Sequence, residues 1–149
     1  MNAPGGQFSY PLEFTKGDAF LKKASKSALK AADVSSSEIV CYRKGQWFKA
    51  ESGTHFPMTF ARHVLYREML REGGFVEVSD TLNHPSYKFL ILDKGAPMLR
   101  YLAAMPIFGE TTIVGAIILA DCRRQDLHGH ALENIKNLAV KVAGYLSKR

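Results

Sequence analysis

The sequence predicts an α+β fold, a central antiparallel sheet with helices on both faces, and three observations predict it. Apolar residues recur at helical spacing in three separated stretches, around 18–33, 57–74 and 127–146. Between them lie two pairs of β-rich runs, each pair joined by a short turn containing glycine. The second pair is apolar on both faces, and a strand with two apolar faces needs cover on both.

The elements follow in order. Residues 1–15 are expected to be a flexible tail, because Pro4, Gly5, Gly6 and Pro11 leave little to pack, and residues 16–149 to be the folded domain. Asp18 suits the N-cap of a first helix, in which Phe20, Leu21, Ala24, Ala28 and Ala31 share a face opposite lysines. The runs Glu38 to Arg43 and Gln46 to Ser52, joined at Lys44-Gly45, form a first hairpin. Pro57 and Thr59 open a second helix with Phe60, Ala61, Val64, Leu65 and Met69 on one broad face, and Gly73-Gly74 ends it. A short strand, Phe75 to Val78, hands over to a loop from Asp80 to Pro97. In that loop Pro85 begins a turn, and Phe89 to Leu92 are apolar enough to fold over the sheet as a lid.

Leu99 to Phe108 and Thr111 to Ala120 are the second hairpin, with Gly109-Glu110 at the tip. Alternation sets Arg100, Leu102 and Ala104 on one face and Tyr101, Ala103 and Met105 on the other. The last helix starts between Leu127 and His130. Its residues Leu132, Ile135, Ala139, Val142 and Leu146 make a heptad-like seam, beside a second stripe of Ala131, Leu138 and Tyr145. One stripe can pack on the sheet while the other meets a partner helix; burial of both in the monomer is equally expected.

Composition excludes several functions. No apolar run approaches the roughly 20 residues that span a bilayer, and the first residues have neither the basic region nor the apolar core of a secretory signal. Cys41 and Cys122 lie far apart in no ligand-like spacing, which suggests reduced thiols in a cytoplasmic protein. The net charge of +6 raises the question of nucleic acid. The basic residues are scattered along the chain, so solvated helix faces explain them better. There is no phosphate-cradling glycine loop, paired-carboxylate motif or nucleophile elbow. His128-Gly129-His130, near Asp126 and Cys122, fits no strong zinc pattern, and capping of the last helix accounts for it. No metal, catalytic residue or identifiable cofactor is assigned.

This order of elements, with Asp80, His84-Pro85-Ser86-Tyr87, Gly95-Ala96-Pro97-Met98-Leu99-Arg100-Tyr101, Pro106, Gly115 and Asp121, resembles a GAF domain from about Asp18 to Leu146. Trp47, Gly53 and His63 also fall where that family often has such residues. The resemblance implies a GAF/PAS-like fold and a sensory module of bacterial signalling. Such a module would bind a small molecule, pair as a homodimer through its terminal helices and act on an effector protein. His84 and Ser86 replace acidic and arginine residues of the usual loop, and the signature of cyclic-nucleotide-binding members is missing. Neither the cysteine set of free methionine sulfoxide reductases nor a bilin-attachment cysteine has a counterpart.

The candidate ligand-binding residues are therefore Trp47, His63, Asp80, His84, Tyr87, Arg100 and Tyr101. Arg100 either binds an anionic ligand or clamps Asp80, and the clamp is favoured because a charge entering an apolar strand needs a partner. Tyr87, Tyr101 and Trp47 could wall a pocket with polar tips, and His63 and His84 could donate to a ligand; ordinary packing competes in each case. Two other functions stay open: a structural dimerisation module with a filled pocket, and a redox enzyme using Cys122 beside Arg123 and Arg124.

Overall fold

The structure, a computed structural model, describes residues 10–56, 59–87 and 99–148. The expected lid at Phe89 to Leu92, the Gly95 to Met98 part of the loop motif, Pro57 and residues 1–9 of the expected tail lie outside them. The elements are β1 (Thr15–Lys16), α1 (Ala19–Ala32), β2 (Ser36–Arg43), β3 (Gln46–Gly53), α2 (Thr59–Glu72), β4 (Val76–Val78), β5 (Tyr101–Phe108), β6 (Ile113–Asp121) and α3 (Gly129–Ser147). They form a six-stranded sheet in the order β1-β3-β2-β6-β5-β4, with helices on both faces.

Local chemistry sets the boundaries. Asp18 caps α1 by accepting from the Leu21 amide at 2.9 Å, and Asp33 closes it in the left-handed conformation at φ 53°, which a short polar side chain tolerates. Lys44 and Gly45 both have positive φ, 52° and 80°. That is the type I′ geometry whose twist matches a two-residue hairpin.

Two features differ from the sequence expectation. The sheet is mixed, because β1 pairs in parallel with β3, Thr15 opposite Phe48 and Lys16 opposite Lys49. Of residues 10–15, assigned to the tail, Tyr10 is buried and Phe14 lies against the same core, while Leu12, Glu13 and Thr15 are exposed. The glycines and prolines that suggested looseness act on the backbone, whereas burial here is decided by single aromatic side chains.

Each sheet face carries its own core. Ile39, Cys41, Tyr101, Ala103, Met105, Ile107, Ile117 and Leu119 face α1 and α3; Val40, Leu102, Ala104, Ala116, Ile118 and Ala120 face α2. The doubly apolar hairpin is thus covered on both sides, and each fully buried Ile or Leu contributes about 1.5–3 kcal/mol. In α3, Ile135, Ala139 and Val142 are buried. Leu132 and Leu146 of the expected seam, and Ala131, Leu138 and Tyr145 of the second stripe, are half-buried against the same core. Both stripes therefore turn inward, the Tyr145 ring stacking on Phe20 of α1 at 4.1 Å. Val140 stands outside both, 71% exposed. Among the described residues no helix is long and apolar enough to cross a membrane.

Candidate functional site

The α2 face holds a polar cluster inside an apolar core. Glu38 alternates with Val40 along β2 and so points to α2. Arg62, Tyr66 and Met69 recur one and two turns apart on the buried side of α2. Tyr10 enters from the N-terminal segment. The Arg62 Nε stands 3.2 Å from Glu38 Oε1, Arg62 Nη1 donates to the Phe56 carbonyl at 2.7 Å, and the Tyr10 hydroxyl donates to Glu38 Oε2. Glu38, Tyr10 and Arg62 are only 3%, 4% and 6% exposed. Burial, and then the Glu38 charge, push the Tyr10 hydroxyl far above the usual phenol range.

Aromatic rings surround this cluster. Tyr10 lies 5.5 Å from Phe14 and 6.0 Å from Tyr66, Tyr66 lies 6.2 Å from Trp47, and Trp47 lies 5.2 Å from Tyr42. The Lys49 ammonium caps the Phe14 ring at 4.7 Å. A cleft of about 970 Å³ opens between residues 10–15 and the Gly45-Gln46-Trp47 turn. Tyr66 and Tyr87 are fully buried on this face. The Tyr87 hydroxyl faces the Glu68 carboxylate, whereas the Tyr66 hydroxyl has no hydrogen-bond partner among the described residues. Buried hydroxyls ordinarily find partners, so this orphan calls for an explanation.

A second constellation lies where the loop meets β5. Arg100 donates from Nε to Asp80 Oδ1 at 2.8 Å and from Nη2 to Asp80 Oδ2 at 2.7 Å, the two-pronged geometry that suits a guanidinium. Asp80 also accepts from the Leu82 amide at 3.1 Å. The Arg100 hydrogen bond is the main reason that the Asp80 carboxyl titrates low, at about 2. A carboxyl with a depressed folded pKa adds stability above its ordinary value of about 3.9, and that stability disappears as pH falls towards the folded value. Thermal melts should therefore show wild-type protein more stable than Asp80→Asn at pH 5, with the gap closing as pH approaches 2; a gap independent of pH would show that the pair is not coupled to folding.

The candidate residues divide between these places. Trp47 and Tyr87 lie on the α2 face, and His63 is half-buried on α2. Asp80 and Arg100 neutralise each other. His84 packs edge-on against Tyr87 at 4.9 Å, its Nδ1 buried without a partner among the described residues. Tyr101 lies on the opposite face of the sheet from Tyr87. Its hydroxyl donates to Glu77 at 2.8 Å, and the same Glu77 oxygen accepts from the Leu127 amide at 2.7 Å. Sequence reasoning missed Tyr10, Glu38, Arg62 and Tyr66. The available signal was a charge at a core-facing position in both β2 and α2, two opposite charges that call for each other.

The segment after β6 ties the Asp80 loop to the helices. The Gln125 amide donates to the Ser79 carbonyl at 3.0 Å, and the Gln125 side chain donates to the Ala32 carbonyl at the end of α1 at 2.6 Å. The buried Asp121 carboxylate accepts from the Ser35 amide and from Arg123. Burial pushes the Cys41 thiol up to about 12, which keeps it inert. Cys122 is exposed, and the adjacent Arg123 guanidinium is engaged by Asp121 and the Asp33 carbonyl. His128 occupies the N-cap position of α3 but makes no side-chain cap bond, contrary to the sequence expectation; its Nδ1 instead lies 3.0 Å from the Asp126 carbonyl oxygen. Among the described residues no His, Cys, Asp and Glu side chains are grouped to hold a metal ion.

No protein-family model matches the sequence, and no curated protein matches it. Solved structures do resemble the fold. The GAF domain of an Acinetobacter phosphoenolpyruvate-protein phosphotransferase has a TM-score of 0.66 and 13% identity, over 85% of this chain and 80% of that one. The type II free methionine-R-sulfoxide reductase of Thermoplasma acidophilum also reaches 0.66, with 11% identity over 86% of this chain and 90% of that one. The blue-light-absorbing PixJ GAF domain of Thermosynechococcus elongatus reaches 0.60, with 13% identity over 86% and 83% of the two chains. At such identities the likeness concerns the fold, and the fold is that of a GAF domain.

Proposed function

We propose that the protein is a sensory GAF module that binds a small molecule on the α2 face of its sheet and passes occupancy on through α1 and α3. The observation that carries this reading is the placement of Glu38, Arg62 and the orphan Tyr66 hydroxyl inside an otherwise apolar core. An apolar core gains nothing from such groups, whereas a ligand site uses a few convergent polar groups to orient its guest. The likeness to the GAF domain of Thermosynechococcus PixJ, which has a blue-light-absorbing form, supports the sensory part of the reading.

The contacts of Gln125 and Asp121 supply a physical route, since they join the Asp80 loop to the end of α1 just ahead of α3. A ligand that favours one position of that loop would then shift the helices by its difference in affinity for the two states. An effector, or a second copy of the chain paired through the same helices, would read their outer faces, where Val140 is exposed. The likeness to the Thermoplasma reductase favours a second reading, thiol chemistry at Cys122, but that thiol has no cysteine partner on the surface of the described residues.

Native mass spectrometry of freshly purified protein tests ligand and stoichiometry together. The expected spectrum is a dimer carrying a small molecule, and Val140→Glu should shift it towards monomer with the small molecule kept. Bare chain, before and after exposure to a metabolite mixture, would overturn the sensing reading; a bare dimer would replace it with a structural pairing module.

A further inference from the structure

We propose that Glu38, Arg62 and Tyr66 form a binding subsite for a phenolic hydroxyl, which Tyr10 fills in cis. The inference rests on the sensory reading and gives the ligand its chemical class.

The floor of the subsite is held without Tyr10. Arg62 is held by the Phe56 carbonyl and forms an ion pair with Glu38 Oε1 at 3.2 Å, which leaves the other Glu38 oxygen to be met by a donor. Arg62 already balances the carboxylate charge, so a neutral donor suits that oxygen and a second cation does not. The rings of Tyr66 and Phe14 flank the position at 6.0 and 5.5 Å from the Tyr10 ring, spacings at which an aromatic guest packs edge to face. A neutral O–H on an aromatic ring is a phenol.

Tyr10 is weakly committed to this place. Of residues 10–16 it alone is buried, and Leu12 is 81% exposed. Beyond it the segment is held by the two-residue β1, the Gly17 amide on the Lys49 carbonyl, and Lys49 over Phe14. The cleft of about 970 Å³ beside it gives the Tyr10 side chain room to withdraw while Phe14 stays.

Calorimetry with p-cresol and toluene, on the full chain, tests the subsite. In Tyr10→Ala, p-cresol should bind at least tenfold more tightly than it binds wild-type protein. It should also bind at least tenfold more tightly than toluene binds the same variant, because a buried carboxylate discriminates strongly against a guest without its donor. Equal affinity for the two probes would reveal a mere void and overturn the proposal, as would no p-cresol binding by a folded Tyr10→Ala protein. Should that variant fail to melt cooperatively, Tyr10→Phe, which keeps the ring and frees the carboxylate, must bind p-cresol at least tenfold more tightly than wild type; an unchanged affinity overturns the proposal. A small molecule retained through native mass spectrometry that p-cresol does not displace would overturn the phenol class and leave the sensory reading standing. Conversely, p-cresol binding that leaves hydrogen exchange in α1 and α3 unchanged would support the subsite and overturn the sensory reading.

Discussion

Arg62→Ala is expected to destabilise the protein by about 3–5 kcal/mol, the cost of leaving a buried carboxylate without its cation. Glu38 is 3% exposed, so bulk solvent does not take the place of its partner. The Tyr10 hydroxyl remains as a donor, but a neutral donor does not balance a charge. In Glu38→Gln with Arg62→Met the charge and its need disappear together, so the double variant should come within about 1–2 kcal/mol of wild type. Urea unfolding at pH 7 reads both, through the midpoint at constant slope. A loss below about 1 kcal/mol in Arg62→Ala would mean that water reaches Glu38 in solution. The α2 face would then be open where the structure has it closed, and the argument for a built polar site would fail.

The fold was legible because most of its determinants are local. The Asp18 cap, the Lys44-Gly45 turn and the alternation through Arg100 to Met105 each depend on a few neighbouring residues, and each produced its element. β1 escaped because a two-residue strand has no periodicity to detect. On α2, Ala61, Leu65 and Met69 of the expected face are buried and Val64 packs against the same core, but Arg62 and Tyr66 are buried with them. A buried arginine subtracts from the hydrophobic pattern, so counting apolar residues does not find it.

The site was less legible, for a related reason. Asp80 with Arg100 was readable as a clamp because opposite charges at a loop and a strand entry need no third party. Tyr101 was grouped with Tyr87 as a pocket wall although alternation already set it opposite Arg100. The structure follows the alternation and gives its hydroxyl to Glu77. Glu38 and Arg62 belong to different elements, and neither is informative until the sheet and α2 are docked. Tyr10 depends on both of them. Residues whose meaning depends on tertiary partners are the ones that sequence reading loses.

Gly115→Ala tests whether a glycine carried by the family resemblance has a physical cause in this chain. Gly115 lies in β6 opposite Cys41 of β2, at the end of the β2–β6 ladder that joins the β1-β3-β2 half of the sheet to the β6-β5-β4 half. An added methyl would overlap the Val40 carbonyl oxygen and stand 2.8 Å from the Cys41 Cα, both backbone atoms of a central strand. No side chain can rotate to relieve this, so β2 and β6 must separate locally. The expected loss is about 3 kcal/mol, at the upper end of overpacking costs because the contact is with backbone. Gly144→Ala is the contrasting change. Gly144 lies inside α3 with nothing within 4 Å of the added atom, and alanine there should stabilise by about 0.5–1 kcal/mol through helix propensity. Urea midpoints that move in opposite directions would support the close approach of β2 to β6. A tolerated Gly115→Ala would mean that the two strands stand further apart than their register here requires.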